Sequence, residues 1–441
     1  MNIQTSAYFD SINRIPNMMK TAYELGYSGI TLTDHECLSG HVKWLKTEKE
    51  LKEQEIIPED FKCALGNEIY LVEDRNNIER YWHYILIAKN TEGHRALREL
   101  SSIAWYHGFS SKGMMRVPTE MEELEKVVKK YPNTLIATNG CLGGFLGRRV
   151  LQLIQAENEQ NQEEALRCNI DIDAFMKWNI NLFGNDFYLE LAAGTSKEQI
   201  KFNQRIRRIA KAYNRKIVIG SDAHYGTEKD RPIHKAYLNS KEGDREVDEF
   251  YKDAHFMTVE ECIENLSKAE ISEEEYKQFC ANSMEIYDKI DKYNLGHSAI
   301  IPHVEVPNYY PYVDNSLKQY PTLFELRQSN NVQERYWVNQ CLTALKEKNL
   351  DNETYLERLE IEAKIIKIIG SKLNNCLYEY FNTFQHYINL FWECGSIVGP
   401  GRGSAVCFLS NWLMGITQLD PIKYDLLYFR FLNEDRVELP D

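Results

Sequence analysis

"KIVIGSDAHY", residues 216–225, follows almost directly on "KEQIKFNQRIRRIAKAYN", residues 197–214, and this pair sets the pattern for the first half of the chain. The first stretch is a short β-branched run closed by glycine and polar residues, which reads as a buried strand. The second spaces its apolar side chains three and four apart, which reads as an amphipathic helix. The alternation extends backwards. "YSGITLTDH", "KCALGNEIYL", "YWHYILIAKN", "NTLIATNGC" and "DFYLEL" are further candidate strands, and "NMMKTAYELG" a further helix. Strand and helix in alternation predict a parallel α/β fold over residues 1–240, a barrel or barrel-like sheet.

The pattern then changes. Residues 241–310 read as an acidic helical connector ("TVEECIENLSKAEISEEEYKQF") that ends in the proline-rich, extended "IIPHVEVPNYYPYVDNS". Residues 311–441 form the third region and are mainly helical at first. "ETYLERLEIEAKIIKIIG" has helical apolar spacing and "YEYFNTFQHYINLFWECG" an aromatic face, and both read as core rather than a cofactor box.

Composition bounds the possibilities. At 441 residues and 43% hydrophobic, the chain is long enough for two or three domains with sizeable cores. A net charge of −14 argues against a protein that coats nucleic acid indiscriminately, because phosphate affinity needs clustered Lys and Arg. One local exception is the run Lys201 to Lys216, with seven basic residues and no acid. It reads either as a DNA-facing stripe or, preferably, as a solvated outer helix. Ten cysteines without a CxxC pair, and a start ("MNIQTSAYFD") unlike a signal peptide, predict reduced thiols in the cytoplasm. No apolar run approaches the roughly 20 residues of a membrane span.

Several metal-ligand types fall at or just after the predicted strand ends: Asp34 and His35, Glu68, His83, Cys141, and Asp222 with His224. Strand ends of a parallel barrel converge on one mouth, so residues distant in sequence can share a site there. Imidazole and carboxylate ligands suit Zn, Mn or Fe, which activate water against a phosphoester. A single His or Asp at a strand end is more often a cap or a satisfied core group; the joint pattern favours the site. That pattern resembles the PHP (polymerase and histidinol phosphatase) domain, a metal-dependent phosphoesterase barrel. The family opens with an HxH pair followed by an aspartate, and here those positions hold Ile3, Thr5 and Asp10. The resemblance implies Asp10, His35, Glu68, His83, Cys141, Asp222 and His224 as ligands, for Zn2+ or Mn2+, in a partial site with fewer ions and little or no hydrolysis.

A second motif lies near the end of the chain. In "CGSIVGPGRGSAVCFLSNWLMGI", residues 394–416, a glycine-rich turn sits between a strand-like "SIV" and a helix-like "AVCFLSNWLMG". Glycine lets backbone amides approach an anion and a following helix offers its positive end, with Arg402 and Ser404 as further donors. Alone, the turn is no Walker sequence and reads as structural. Its neighbours change that. Residues 399–441 closely resemble the opening of the palm in bacterial C-family replicative DNA polymerases, the DNA polymerase III alpha subunits: GPGRGS, an apolar helix, GIT, DP, YDLL, RFLN, ERV-like residues and PD. The resemblance runs back, more loosely, through the whole chain.

It implies that Gly401, Arg402, Gly403 and Ser404, with Arg430 and Arg436, contact the phosphates of an incoming nucleotide. The plainer reading of Arg430 and Arg436 is surface pairing with Asp425, Glu434 or Asp435. In the family, the PD pair is followed by the carboxylates that hold two catalytic Mg2+ ions, and this sequence stops at Pro440 and Asp441. The expectation is therefore the front of a DNA-directed DNA polymerase, inactive alone, working on primer–template DNA and deoxynucleoside triphosphates with the remainder of the polymerase. A sliding clamp and a proofreading exonuclease are further implied partners. A free-standing phosphoesterase or 3′–5′ exonuclease, and a non-catalytic scaffold, stay open as alternatives.

Overall fold

A computed structural model describes residues 2–3, 11–78, 80–111, 114–240, 251–293, 295–297 and 300–438. The chain divides into two compact units, Met1–Leu295 and Gly296–Asp441.

The first unit is built on an eight-stranded curled sheet. Its strands are β1 (Asn2–Ile3), β2 (Gly29–Leu32), β3 (Lys62–Val72), β4 (Trp82–Ala88), β7 (Thr119–Glu120), β8 (Leu135–Thr138), β9 (Phe187–Ala192) and β10 (Ile217–Gly220), while β5 (Phe109–Ser111) and β6 (Met114–Arg116) form a separate hairpin. The order is β1-β2-β3-β4-β8-β9-β10, with β7 paired to β3. All six predicted strands form, and the class is the predicted α/β one, with the sheet curled into a mixed half-barrel with helices.

One feature departs from a wholly parallel sheet. Strand β4 runs antiparallel to both β3 and β8, whereas the other pairs are parallel. The connection from Val72 to Trp82 is shorter than the dozen or so residues that a parallel crossover requires, so the chain turns back on itself.

The strands are near-continuous apolar runs because both faces are covered. Alternation along β4 shows this: Tyr84, Leu86 and Ala88 join the outer core under the helices, while Ile85 and Ile87 join Ala64, Ile136, Tyr188 and Val218 on the inner face. Ile286 and Tyr287, from the helix Glu273–Asp288, pack into that inner face. Residues of the predicted acidic connector thus belong to the first unit's core. The helix turns Tyr276, Phe279, Ile286 and Tyr287 inward, and Glu273, Glu274 and Glu275 occupy its first turn, where carboxylates favour the helix dipole.

The second unit is helical, with no strand among its described residues. Four helices, Pro321–Gln328, Val332–Glu347, Glu353–Lys372 and Leu377–Glu393, enclose a core that includes Trp337, Leu359, Ile366, Ile369, Phe381 and Phe408. The helix Glu353–Lys372 is core, as expected. The helix Leu377–Glu393 is core only in its first half: Tyr387, Leu390, Phe391 and Trp392 are exposed. Periodicity reports a face, not whether anything covers it.

Candidate metal centre and nucleotide loop

At the mouth of the half-barrel, β3 outruns β2. Their register ends at Leu32 opposite Leu65, and the chain after β2 continues alongside as a single bridge between His35 and Glu68. This backbone pairing brings His35 to Glu68, and the antiparallel neighbour brings His83. His83 sits at the beginning of its strand rather than the end, because reversing β4 puts its first residues at the mouth. Side-chain ligand atoms of His35, Glu68 and His83 all lie within 4.8 Å of one another. His83 Nδ1 is 2.7 Å from Glu68 Oε1, and His35 Nδ1 is 3.9 Å from Glu68 Oε2.

Cys141 follows β8 in a glycine-rich loop, its Sγ 3.5 Å from His83 Nδ1. The loop lies against β4: a Cβ on Gly140, whose φ is +67°, would come within 2.8 Å of the His83 carbonyl oxygen. Asp222 and His224 follow β10. His224 Nδ1 is 2.7 Å from the Asp222 carbonyl oxygen and 3.8 Å from its carboxylate. Asp222 adopts φ +44°, in the left-handed region. Asp10 and Thr5 lie outside the described residues, and Ile3 is described only as part of β1.

Charges in this mouth act on one another. Burial alone would raise Glu68, but His35 and His83 hold it below the ordinary carboxylate value. Burial alone would lower His83, yet Cys141 and Glu68 raise it well above the histidine norm. Desolvation raises Cys141 against the pull of His83, and raises Asp222 against that of His224. Glu68 and His83 therefore face each other as an ion pair, and a divalent cation with three such ligands would replace the imidazolium charge. Two imidazoles and a carboxylate are a donor set that fits Zn, Mn or Fe.

Two buried carboxyls here escaped the sequence reading. Glu36, next to His35, is pushed by burial up to about 8; its backbone oxygen accepts from Trp105 Nε1 at 2.9 Å, its Oε1 accepts from the Tyr70 amide, and its Oε2 has no hydrogen-bond partner among the described residues. Glu190, on β9, is pushed by burial up to about 7 and accepts from Thr138 Oγ1 at 2.6 Å. A lone glutamate inside the apolar run "DFYLEL" was its only signal.

In the second unit, the turn Gly399–Ser404 is exposed over Gly401, Arg402 and Gly403. No strand precedes it and no long helix follows. A 3-10 turn, Gly403–Cys407, is broken at the extended Phe408 before the short helix Leu409–Leu413. The predicted helix-dipole contribution is correspondingly absent from the turn itself, because the α-helix starts five residues beyond Ser404 and its first amides are already occupied. Glu362 Oε1 accepts from Leu409 N at 2.7 Å and Oε2 from Ser410 N at 2.9 Å. Arg358, one turn earlier on the same helix, bonds Glu362 Oε1 through Nε at 2.9 Å. Its Nη2 donates to the carbonyls of Cys407 at 2.6 Å and Leu426 at 3.0 Å. This pair, unnoticed in "ERLEIEA", ties both segments of the predicted nucleotide site together. Gly401, at φ +116°, could not carry a Cβ without meeting Val406 Cγ1 at 2.6 Å. Arg430 is exposed, and Arg436 pairs with Glu438, not with the acids the sequence offered.

A half-barrel with clustered imidazole and carboxylate at its mouth defines a PHP-type domain, and residues 1–194 match the family model described as PHP domain. Residues 324–441 match a second, described as bacterial DNA polymerase III alpha NTPase domain. Over 98% of its length the chain is 35% identical to "Probable DNA polymerase YorL" of Bacillus subtilis and to "DNA-directed DNA polymerase" of Bacillus phage SPbeta, covering 35% of each. It is 30% identical to the DNA polymerase III subunit alpha of Aquifex aeolicus, covering 98% of this chain and 34% of that one. Over nearly its whole length the chain is thus similar to bacterial DNA polymerase III alpha proteins, and it spans about a third of the length of these relatives.

Proposed function

We propose that the chain contributes to template-directed DNA synthesis as the front of a DNA polymerase, its GPGRGS turn contacting the phosphates of an incoming deoxynucleoside triphosphate. The observation that carries this is the exposed turn itself, followed by a segment that the Arg358–Glu362 pair holds at Cys407, Leu409 and Ser410, and lying within a stretch that matches the polymerase NTPase domain. Exposed amides with no side chain at Gly401 or Gly403 can approach an anion closely, and Arg402 and Ser404 add donors. Arg430 is a further cation of the site.

The relatives' remaining length would supply the carboxylates for Mg2+, which steadies the attacking 3′ oxygen and the leaving pyrophosphate. Primer–template DNA is the substrate; a clamp and a proofreading exonuclease are partners on the family's pattern. Primer extension tests the reading. The chain alone should incorporate no labelled nucleotide, and a polypeptide corresponding to the relatives' remaining two thirds should restore incorporation. Extension by the chain alone, at the ~1 to 10³ s⁻¹ of ordinary enzymes, would overturn it.

At the PHP mouth, His35, Glu68, His83 and Cys141, with Asp222 and His224, would hold a Zn or Mn ion, and that ion would supply an activated water for phosphoester hydrolysis. The chain's own residues position it: β3 and the bridge to His35 fix the carboxylate and one imidazole, and the Cys141 loop fixes the other.

A further inference from the structure

Residues of the helix Lys197–Tyr213, running on into Lys216 and Ile217, line an open groove, together with Glu270 and residues of the helix Glu273–Asp288. Five cations line it, Arg207, Arg208, Lys211, Arg215 and Lys216, against the carboxylates of Glu270 and Glu275. On a chain of net charge −14 such a concentration needs a cause.

Two of the five are occupied in holding the walls together. Arg207 Nε reaches Glu275 Oε1 at 3.1 Å and its Nη1 reaches the Glu270 carbonyl at 3.1 Å, and Lys216 pairs with Glu285. Among the described residues Arg215 is bonded to carbonyl oxygens, of Asn214 at 2.8 Å, Tyr213 at 3.2 Å and Gly184 at 2.7 Å, and has no ion pair, so its position is fixed while its charge is not neutralised. Arg208 and Lys211 are exposed and have no ion pair among the described residues. Gln204, Arg208 and Lys211 recur every three or four positions of the helix and so form one row, with donors roughly 5–6 Å apart along its axis, and Arg215 lines the groove just beyond the helix end.

The lining selects the ligand. Its apolar members, Ala210, Ile217 and Phe279, are buried, so the groove offers no anchor pocket of the kind that peptide recognition uses. It offers no exposed aromatic platform for bases either. What remains is a ladder of cations and amides suited to successive phosphates of one strand. We propose that this groove holds the phosphodiester backbone of a single nucleic-acid strand without reading its bases. The proposal goes beyond the nucleotide-loop reading and is tested apart from it, in the other unit of the chain.

The experiment is fluorescence anisotropy of a labelled oligothymidylate titrated with the whole chain, without nucleotides or added polymerase fragments, across a salt series. Binding should weaken linearly in log–log form as salt rises, with a contribution of about 0.7 to the slope from each phosphate contact. Arg208→Gln with Lys211→Gln should weaken binding by about tenfold or more at low salt and lower the slope by roughly 1.4. Lys126→Gln with Lys129→Gln makes the same change of net charge on the exposed face of another helix, and should leave affinity within about twofold. Circular dichroism verifies that both variants are folded. Absence of binding at low salt, equal loss in the two variants, or tighter binding of a duplex of the same length would each overturn the proposal. None of these outcomes bears on primer extension, so failure here is distinguishable from failure of the polymerase reading.

Discussion

Arg358 Nε donates to Oε1 of Glu362 at 2.9 Å, and through this pair a fully buried carboxylate caps the amides of Leu409 and Ser410. The arginine's other end holds the carbonyls of Cys407 and Leu426. One ion pair on one helix therefore sets the spacing between the chain after the GPGRGS turn and the chain before Arg430. Burial raises the Glu362 carboxyl, and the two amides and Arg358 oppose that rise.

Breaking the pair from one side should be expensive. Arg358→Ala leaves a buried carboxylate without its cation, which costs about 3–5 kcal/mol. Glu362→Gln keeps an acceptor for one amide and should cost less. Urea unfolding of the two variants, followed by far-ultraviolet circular dichroism, checks the order; equal and small losses would show that solvent reaches the pair.

Within the turn, Gly401 and Gly403 should respond differently. Gly401→Ala pushes a methyl into Val406 and Thr417 and should loosen the turn itself. Gly403 faces open space at φ +66°, so Gly403→Val carries backbone strain of about 1–2 kcal/mol and obstructs an approaching phosphate. Ser404→Ala should lose ~1–3 kcal/mol of nucleotide affinity, and Arg402→Lys should lose the bidentate fork while keeping the charge. Steady-state incorporation by the reconstituted polymerase, with DNA affinity measured separately, reads these effects; unchanged kinetics in all variants would make the turn a hinge.

The PHP mouth should bind at most one or two transition-metal ions per chain and hydrolyse phosphodiesters weakly or not at all. The resemblance to the PHP domain sets Ile3 and Thr5 where that family is expected to have imidazoles, while His35, Glu68 and His83 are clustered. Elemental analysis of the purified chain checks the count. Glu68→Gln should lower metal affinity steeply, and binding should release protons, because an imidazolium and buried carboxyls must give theirs up. Three tightly held ions with brisk exonuclease turnover would contradict this.

A second histidine pair predicts a pH dependence. His41 Nδ1 lies 3.0 Å from His94 Nε2, and His41 Nε2 lies 3.0 Å from the Gly66 carbonyl. Burial lowers both imidazoles to about 4, helped by His94 in the one case and by Arg98 in the other. The unfolded chain binds these protons near pH 6.5 and the folded chain only near 4, so stability is full above about 6.5 and declines as pH falls toward 4. Each pKa unit is worth about 1.4 kcal/mol, giving a full loss on the order of 3–4 kcal/mol for the first proton. Urea midpoints measured from pH 7.5 to 4.5 test it: a flat profile would mean the pair is solvated.

The sequence by itself determined a good deal. Apolar runs closed by polar residues marked all six principal strands, because a strand covered on both faces has no choice but to be apolar throughout. The clustered side chains His35, Glu68 and His83 were legible because polar groups interrupt those runs. The string from Gly399 onward was legible through its resemblance over residues 399–441, since the glycine-rich turn alone reads as structural. Tertiary structure decided the rest, since it depends on pairing between distant segments. A short connection reversed β4 and so delivered His83 from the opposite strand end. The end of the acidic stretch 273–288 came to cover the inner face of the half-barrel, through Ile286 and Tyr287. Glu36 and Glu190 acquired their raised pKa values from burial, and Arg358 and Glu362 their role from what packs over them. None of these is a property of local sequence: desolvation and hydrogen-bond partners are defined only once the chain has closed around them.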